Sequence, residues 1–291
     1  MRPATSASPA SSGPAPPPAL DVRVGCRFVV DVAADTHAVA LVEPHADLAW
    51  RVRDAGFVAV PHVASWVTED LNGNRARRFT LPAGRASVSV DAVVSVDPWP
   101  DALVPGARAL TPEELTPEAL RYVLPSRYCE SDLLQVEALG RFGGLRPGWE
   151  QVQAISDFVH EHIEFDYQRS SPTHSAMTVL HGRTGVCRDF THLGIGLCRA
   201  LNLPARYVCG YIPDIGVPVD GPMDFCAWME VLLDGGWYTF DPRNNRRRIG
   251  RVVIARGRDA ADVAMLTTFG QVLLVSMEVW ADEVPAEPGS P

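Results

Sequence analysis

Apolar and polar residues alternate along most of the first third of the chain. The segment DVRVGCRFVVDVA, which begins at Asp21, places every second side chain on one apolar face. The segment RASVSVDAVVSVD repeats the pattern, with Val88, Val90 and Ala92 on one face. Alternation with a period of two residues is typical of antiparallel strands that bury one face. Residues 21–105 are therefore predicted to form an all-β N-terminal domain.

The pattern changes to a helical period in the middle of the chain. Residues 106–147 combine turn signals with short apolar runs, and Thr111 followed by Pro112 resembles a helix start, so this stretch is predicted to be a helical connector. A stronger helix is predicted next, because apolar residues recur every three or four positions. Its apolar stripe consists of Trp149, Val152, Ile155, Val159 and Ile163. Another helix is predicted from about 186 to 201.

Strand patterns return after the second of these helices. ARYVCGYI (205–212), DFCAWMEVLLD (224–234) and GGWYTFD (235–241) are predicted strands, and the last two are joined by a tight Asp-Gly-Gly turn. RVVIARG and QVLLVSMEVW are predicted to be two further strands, the second of them buried. Residues 148–291 are therefore predicted to form one core that includes these C-terminal strands.

Composition narrows the class of protein. The hydrophobic content of 46% and charged content of 21% are ordinary for a globular protein, and the net charge of −9 argues against a nucleic-acid partner. Residues 1–20 are nearly all Pro, Ala and Ser, which predicts a disordered arm without the continuous apolar region of a signal peptide. No run approaches the ~18 apolar residues of a membrane span.

Cysteine usage indicates the compartment. Six cysteines occur at positions 26, 129, 187, 198, 209 and 226, and none of them forms a CxxC pair. A long chain with no export signal and no disulfide framework is expected to be reduced and cytoplasmic. The sequence leaves the oligomeric state open.

Cys187 is the first candidate for chemistry, because it stands at the predicted start of a helix, in GVCRDF. Unpaired backbone N–H groups and the positive end of the helix dipole favour a thiolate there. The thiolate is a competent nucleophile, and the cysteine N–H is placed to stabilise a developing oxyanion. On these grounds alone a buried structural cysteine is the favoured interpretation.

Three motifs, in order, resemble the bacterial transglutaminase-like superfamily, relatives of the papain-like cysteine proteases. They are GVCRDFTHLGIGLCRALNLPARYVCGYIP, DFCAWMEVLLDGGWYTFDPRNN and GRDAADVAMLTTFG. The resemblance covers roughly residues 150–270, and the β-rich N-terminal part is similar to the domain that precedes this core in many members. It implies an α+β fold with Cys187 as the nucleophile and Asp241 as the acid that orients the catalytic imidazole.

The resemblance implies a cysteine-dependent hydrolase or acyl transferase that acts on amide bonds of peptides or proteins without a cofactor. The chain departs from the family pattern at one position, since Cys226 stands where active members carry the histidine of D-F-H-A-W-x-E. A thiol is a weak base with an ordinary pKa of about 8.5, and it holds no positive charge beside a thiolate. Loss of a general acid–base group typically costs 10²–10⁴-fold in rate.

Other residues are weighed as replacements for the missing base. His192 lies five residues after Cys187, about 140° around the helix, and is expected to point away. His174 and His181 lie on the preceding loop and are candidates to swing in. Cys187, Cys226 and Asp241 supply only three ligands without a recognisable spacing, so no metal is predicted.

Trp228 and Trp237 are predicted either to wall a substrate cleft or to pack as cross-strand core aromatics. Three functional hypotheses follow. The first is the cysteine-dependent enzyme, acting on a peptide or protein through an acyl-enzyme at Cys187. The second is an inactive transglutaminase-like module that binds peptides or protein partners in the old cleft. The third is a redox-sensitive pair formed by Cys187 and Cys226.

Overall fold

The computed structural model describes residues 19–219 and 221–285. The predicted N-terminal arm falls outside these residues except for its last two positions, and strand β1 already begins at Leu20. The strands in chain order are β1 (Leu20–Val32), β2 (Thr36–Ala40), β3 (Val52–Val60), β4 (Ser65–Glu69), β5 (Arg75–Leu81), β6 (Gly84–Val96), β7 (Glu164–Phe165), β8 (Thr184–Gly185), β9 (Ala205–Tyr211), β10 (Cys226–Leu233), β11 (Gly236–Phe240), β12 (Val252–Gly257), β13 (Leu266–Thr268) and β14 (Val272–Glu283).

Five α-helices accompany the strands, and all of them lie between the two β-rich parts of the chain. They are α1 (Pro117–Leu120), α2 (Gln135–Phe142), α3 (Trp149–His162), α4 (Ala176–Gly182) and α5 (Cys187–Ala200). Short 3₁₀ turns occur at Ala46–Arg51, Pro112–Glu114, Tyr167–Arg169 and Ala260–Asp262. No helix of the described residues combines the length and apolar character needed to cross a bilayer.

The N-terminal part folds into two four-stranded antiparallel sheets, in the orders β14-β1-β6-β3 and β13-β2-β5-β4. The alternating apolar face predicted from the sequence is the buried one. In β6 every second residue from Ala86 to Val96 is buried, and in β1 Val22, Val24 and Val30 are almost completely buried. The predicted β-rich character of this part is therefore observed.

The second half contains an antiparallel sheet in the order β11-β10-β9-β12, with helices packed on it. Helix α5 lies at the centre of this core, since every residue from Asp189 to Ala200 is buried. It packs against β9 and β10 on one side and against α2, α3 and α4 on the other. With helices segregated from an antiparallel sheet, the fold class is α+β, as predicted.

Two glycines allow α5 to be covered on all sides. A Cβ atom on Gly196 would lie 2.5 Å from a methyl carbon of Leu134, and one on Gly194 would lie 3.0 Å from the sulfur of Met229. These distances are shorter than ordinary packing contacts, so a side chain at either position would require Leu134 or Met229 to move. Because Leu134 adjoins α2, the predicted connector contributes to the core rather than only leading to it.

Strand β12 belongs to the core sheet but strands β13 and β14 do not, so the core ends before the predicted boundary at residue 291. Strand β14 pairs along its length with β1, with Val22 opposite Glu283, and β13 pairs with β2. The prediction that QVLLVSMEVW is buried is also wrong. Residues 273–278 of β14 are exposed, because β14 is the edge strand of its sheet.

The two halves of the molecule are joined along the outer edge of the core sheet. The side chain of Asn74 is fully buried, donates to the Arg256 carbonyl at 2.9 Å and accepts from the Arg256 N–H at 2.7 Å. The backbone N–H of His45 donates to the Val253 carbonyl at 2.8 Å. These hydrogen bonds pair backbone groups of β12 that would face solvent if this edge of the sheet were open.

Replacement of Asn74 with alanine is expected to destabilise the protein by about 2–3 kcal/mol, because it leaves the buried Arg256 N–H and carbonyl without partners. The free energy of unfolding is measured by urea denaturation. Gln168→Ala, which removes an exposed amide, is the control and is expected to change it by less than about 0.5 kcal/mol. An unchanged midpoint in Asn74→Ala would contradict this role.

Candidate active site

Cys187 is the first residue of α5, where the sequence predicted it. The preceding Val186 is extended, with φ −109° and ψ 176°, and its N–H donates to the Asp189 carboxylate at 3.0 Å. Gly185 permits this arrangement, because a Cβ atom there would lie 2.6 Å from the Cβ of Asp189. The local sequence G-V-C-R-D thus starts the helix and fixes the backbone that carries the sulfur.

The sulfur of Cys187 faces the backbone on both sides of Cys226. Its Sγ lies 3.8 Å from the Phe225 carbonyl, and the N–H of Ala227 hydrogen-bonds to it. The thiol of Cys226 lies 3.8 Å from the carbonyl of Asp224. The helix start and the beginning of β10 are therefore adjacent, and a cysteine occupies the position at which the family pattern has histidine.

The N-terminal domain helps to hold this backbone in place. Phe225 is 4% exposed, and its ring stacks on that of Phe28 from β1, with centroids 6.2 Å apart. The ring of Tyr211 in β9 packs against Phe225 at 5.5 Å. Because the Phe225 ring is fixed from both domains, its carbonyl is held against the Cys187 sulfur.

The surroundings of Cys187 favour the thiol over the thiolate. Burial raises the pKa of Cys187 to about 11, and the nearby Asp224 and Asp241 carboxylates add to this effect. The Ala227 N–H and the Arg243 guanidinium oppose it without offsetting it. Burial and the neighbouring Cys187 sulfur also raise the pKa of Cys226. The stabilisation expected from the helix start is thus outweighed by loss of hydration.

Asp241 lies within electrostatic range of both thiols but is bound to other partners. Its carboxylate accepts from the guanidinium of Arg251 at 2.9 Å and from the backbone and side chain of Asn244 at 3.0 and 2.9 Å. Arg251 is itself buried and also pairs with Asp101 at 2.8 Å. The acid that would orient an imidazole is therefore part of a buried ion-pair network.

A small pocket opens beside the Cys187 sulfur. Its cavity volume is about 70 Å³, enough for a few waters or one small chemical group but not for a whole peptide. Its charged lining consists of Asp214, Asp224, Arg243 and Arg248, and its remaining lining is Phe165, Tyr167, Cys187, Ile212, Gly221, Pro222, Met223, Phe225, Cys226 and Asn244.

No imidazole of the described residues lines this pocket. His192 is fully buried, stacks on Tyr128 and accepts from the Ala260 N–H at 3.1 Å, and burial lowers its pKa well below the usual range. This is the structural role predicted for it. His174 lies 4.0 Å from Asp189 behind the helix start, and His181 is exposed at the end of α4. Neither occupies the position of the missing base.

Neither tryptophan lines the pocket; Trp228 is a core residue, whereas Trp237 is partly buried on β11. Trp228 is completely buried, packs with Val208 and Ile212, and has the Arg251 guanidinium 4.9 Å from its ring. Trp237 packs edge-on against Tyr122, with centroids 5.4 Å apart. Both therefore stabilise the sheet and its neighbours instead of contacting a ligand at Cys187.

The structure also bears on the other roles considered for the cysteines, namely a disulfide, core packing and metal binding. All six cysteines are free thiols. Cys198 is buried within α5 and Cys209 within β9, as predicted for packing residues. No three His, Cys, Asp or Glu side chains are grouped as metal ligands within residues 19–219 and 221–285.

The α+β core with a cysteine at a helix start is the arrangement that the transglutaminase-like resemblance implies, and comparisons with known proteins support that family. The model of the transglutaminase-like superfamily matches residues 139–242. An uncharacterized protein of Mycobacterium tuberculosis is 30% identical over 224 residues, which are 68% of this chain and 70% of that protein. An uncharacterized protein of Mycobacterium leprae is 26% identical over 219 residues, which are 71% and 76% of the two chains.

A solved structure is similar over nearly the whole chain. It is that of a proposed cysteine protease from Cytophaga hutchinsonii, with a TM-score of 0.80, 29% identity and 92% of each chain covered. This likeness extends to the β-rich part outside the matched family region. The chain described here belongs to the transglutaminase-like superfamily.

Sequence reasoning missed several residues that shape the pocket. Arg243 and Asn244 follow Asp241 in the same D-P-R-N-N motif, and Asp224 precedes Cys226 by two residues, so proximity to known motifs was an available signal. No local pattern pointed to Arg251, whose partner Asp101 is 150 residues away. Tyr167 lay in a loop without a recognisable motif.

Alkylation of Cys187 by iodoacetamide at pH 7 is expected to be at least tenfold slower than that of free cysteine. With the pKa raised to about 11, the thiolate fraction is smaller than that of an ordinary thiol at every pH below 11. The rate, followed by peptide mass mapping against a Cys187→Ala control, should still be rising at pH 10. Fast modification at pH 7 would contradict this assignment.

Proposed function

We propose that the protein is a transglutaminase-like module that binds peptide or protein segments at the Cys187 pocket and has lost family-type acyl transfer. The main support is the surroundings of the sulfur. The Cys187 thiol faces the Phe225 carbonyl and the Ala227 N–H on either side of a cysteine, and no described imidazole lines the pocket.

The surroundings of Asp241, the acid in the family mechanism, support the same proposal. Family-type catalysis needs a base that removes the thiol proton and returns it to the leaving amine. Asp241 is neutralised by Arg251 at 2.9 Å, and the buried Arg251 also pairs with Asp101. Separating this network would leave charges buried without partners, which is costly. Asp241 is thus held as a structural group.

The small size of the pocket favours a peptide ligand that inserts one group and keeps the rest of its chain outside the pocket. A pocket of about 70 Å³ accepts one small group, while the rest of an extended ligand lies across its opening. Peptides and proteins are the substrates that the superfamily resemblance implies. The proposed module keeps this ligand class and needs no cofactor for it.

A second candidate function is cysteine-dependent hydrolysis or acyl transfer at amide bonds. It is favoured by the position of Cys187 at the first turn of α5 and at the wall of a pocket. In that reaction the sulfur bonds to the carbonyl carbon and the amine leaves with the thiol proton. Water or a second amine then displaces the sulfur, which regains its proton.

Cys226→His is expected to raise turnover about 10²-fold or more, because it restores an acid–base group beside the Cys187 sulfur. Turnover is measured as cleavage of a peptide library by mass spectrometry and as incorporation of a biotinylated amine into casein. Cys226→Ser is the matched control and should show no gain. The proposal expects wild-type turnover to equal that of Cys187→Ala; wild-type turnover that Cys187→Ala abolishes would support the enzyme instead.

Peptide binding is tested directly with a tryptic digest of serum albumin passed over the immobilised protein. The wild-type protein and Cys187→Ala are both expected to retain a subset of peptides, because binding does not require the thiol. Cys226→Trp, which fills the pocket, should retain none of that subset while its circular dichroism spectrum stays native. Equal retention by Cys226→Trp would contradict binding at this pocket.

A further inference from the structure

Arg243 supplies a cation with a fixed orientation to the Cys187 pocket. It lies in the loop that follows β11 and lines the pocket together with Cys187 and Phe165. Its guanidinium carbon is 4.3 Å from the centroid of the Phe165 ring. Stacking on an aromatic face fixes the plane of the guanidinium and leaves its edge free for hydrogen bonds in that plane.

Most donors of Arg243 have no partner among residues 19–219 and 221–285. A guanidinium carries five N–H donors, and the one side-chain hydrogen bond of Arg243 runs to the amide oxygen of Asn244 at 3.2 Å. No carboxylate of residues 19–219 and 221–285 lies within 4 Å of its nitrogens. Arg248, on the same pocket, is different, because it pairs with Asp214 at 2.8 Å.

The other carboxylate of the pocket is satisfied by its own donors. Asp224 accepts from the Phe225 N–H at 2.7 Å and from the Tyr167 hydroxyl at 3.3 Å. The Tyr167 hydroxyl remains a donor over the physiological range, because burial and the neighbouring Asp224 raise its pKa to about 12. Asp214 is bound to Arg248, and Asp224, which lies within electrostatic range of Arg243, has both carboxylate oxygens occupied by neutral donors. Among the described residues, Arg243 is therefore the charged group of the pocket whose hydrogen-bonding atoms stay largely open.

We propose that Arg243 binds a carboxylate of the ligand, so that the Cys187 pocket selects acidic peptides. This inference rests on the proposed peptide-binding function and names its ligand class. A planar guanidinium and a carboxylate form paired N–H···O bonds, which combine charge with direction. A carboxylate is also a group of few atoms, as a pocket of about 70 Å³ requires. It comes either from an Asp or Glu side chain or from a peptide C-terminus.

Four N-acetylated hexapeptides separate these two sources. They carry either Glu or Gln at the centre of an alanine sequence, and each is made with a C-terminal acid and with a C-terminal amide. Dissociation constants are measured by NMR titration of the full-length protein. At least one acid-bearing peptide is expected to bind tenfold or more tightly than the neutral Gln amide, since hydrogen bonds to charged groups contribute about 1.5–3 kcal/mol.

Arg243→Gln is expected to remove this preference and to reduce affinity for the acidic peptide by tenfold or more. Arg246→Gln is the matched control, because Arg246 is an exposed arginine of the same loop outside the Cys187 pocket. A central Lys peptide amide is included as a cationic probe. Circular dichroism spectra establish that both variants are folded.

The outcomes distinguish this inference from the proposed function. Preference for Glu in both terminal forms assigns the carboxylate to a side chain, and preference for the acid terminus assigns it to a peptide end. Equal binding of neutral and acidic peptides, a preference for the Lys peptide, or unchanged binding by Arg243→Gln overturns the inference and leaves peptide binding intact. Absence of binding by every peptide overturns both.

Discussion

The position of Cys187 depends on helix α5, most of which is enclosed on every side. Helix α5 is buried from Asp189 to Ala200 because it lies between the core sheet and three other helices. Gly194 and Gly196 make this possible by removing side chains where neighbours approach most closely. A helix enclosed in this way has little freedom to shift or rotate. Its first residue, Cys187, is thereby fixed against the start of β10.

The chemistry of the site follows from how its charges are shared. Arg251 is buried between Asp101 and Asp241, so the Asp241 carboxylate is committed to the framework. Cys187 loses hydration on burial without gaining an imidazolium partner, and its pKa rises to about 11. The same enclosure that positions the sulfur therefore suppresses its ionisation. The pocket beside Cys187 is thus retained while its surroundings disfavour the thiolate.

Local patterns predicted most elements of this molecule, and long-range contacts decided the rest. The alternation in β1 and β6, the stripe of α3 and the start of α5 at Cys187 all depend on neighbouring residues, and they were predicted correctly. The exposure of β14 was not predicted correctly, because apolar character alone does not distinguish a buried strand from an exposed edge strand.

The same contrast holds at the site. The family resemblance predicted that Cys187, Cys226 and Asp241 share one site, because each of them falls in a family motif at a helix start or on a strand. The stacking of Arg243 on Phe165 and the pairing of Asp101 with Arg251 join segments far apart in the chain. Trp228 and Trp237 were ambiguous for a related reason, as alternation along a strand does not tell which layer covers each face.

The pairing of β1 with β14 has a consequence for how the chain is made. The first described strand and the last one are neighbours, with Val22 opposite Glu283 and the Val284 N–H bonded to the Asp21 carbonyl. The core is thus an insertion between two parts of one β domain. During synthesis, β1 leaves the ribosome before the whole inserted core, and its edge partner β14 leaves after that core. The inserted core, whose strands and helices are consecutive, is complete before the domain that surrounds it.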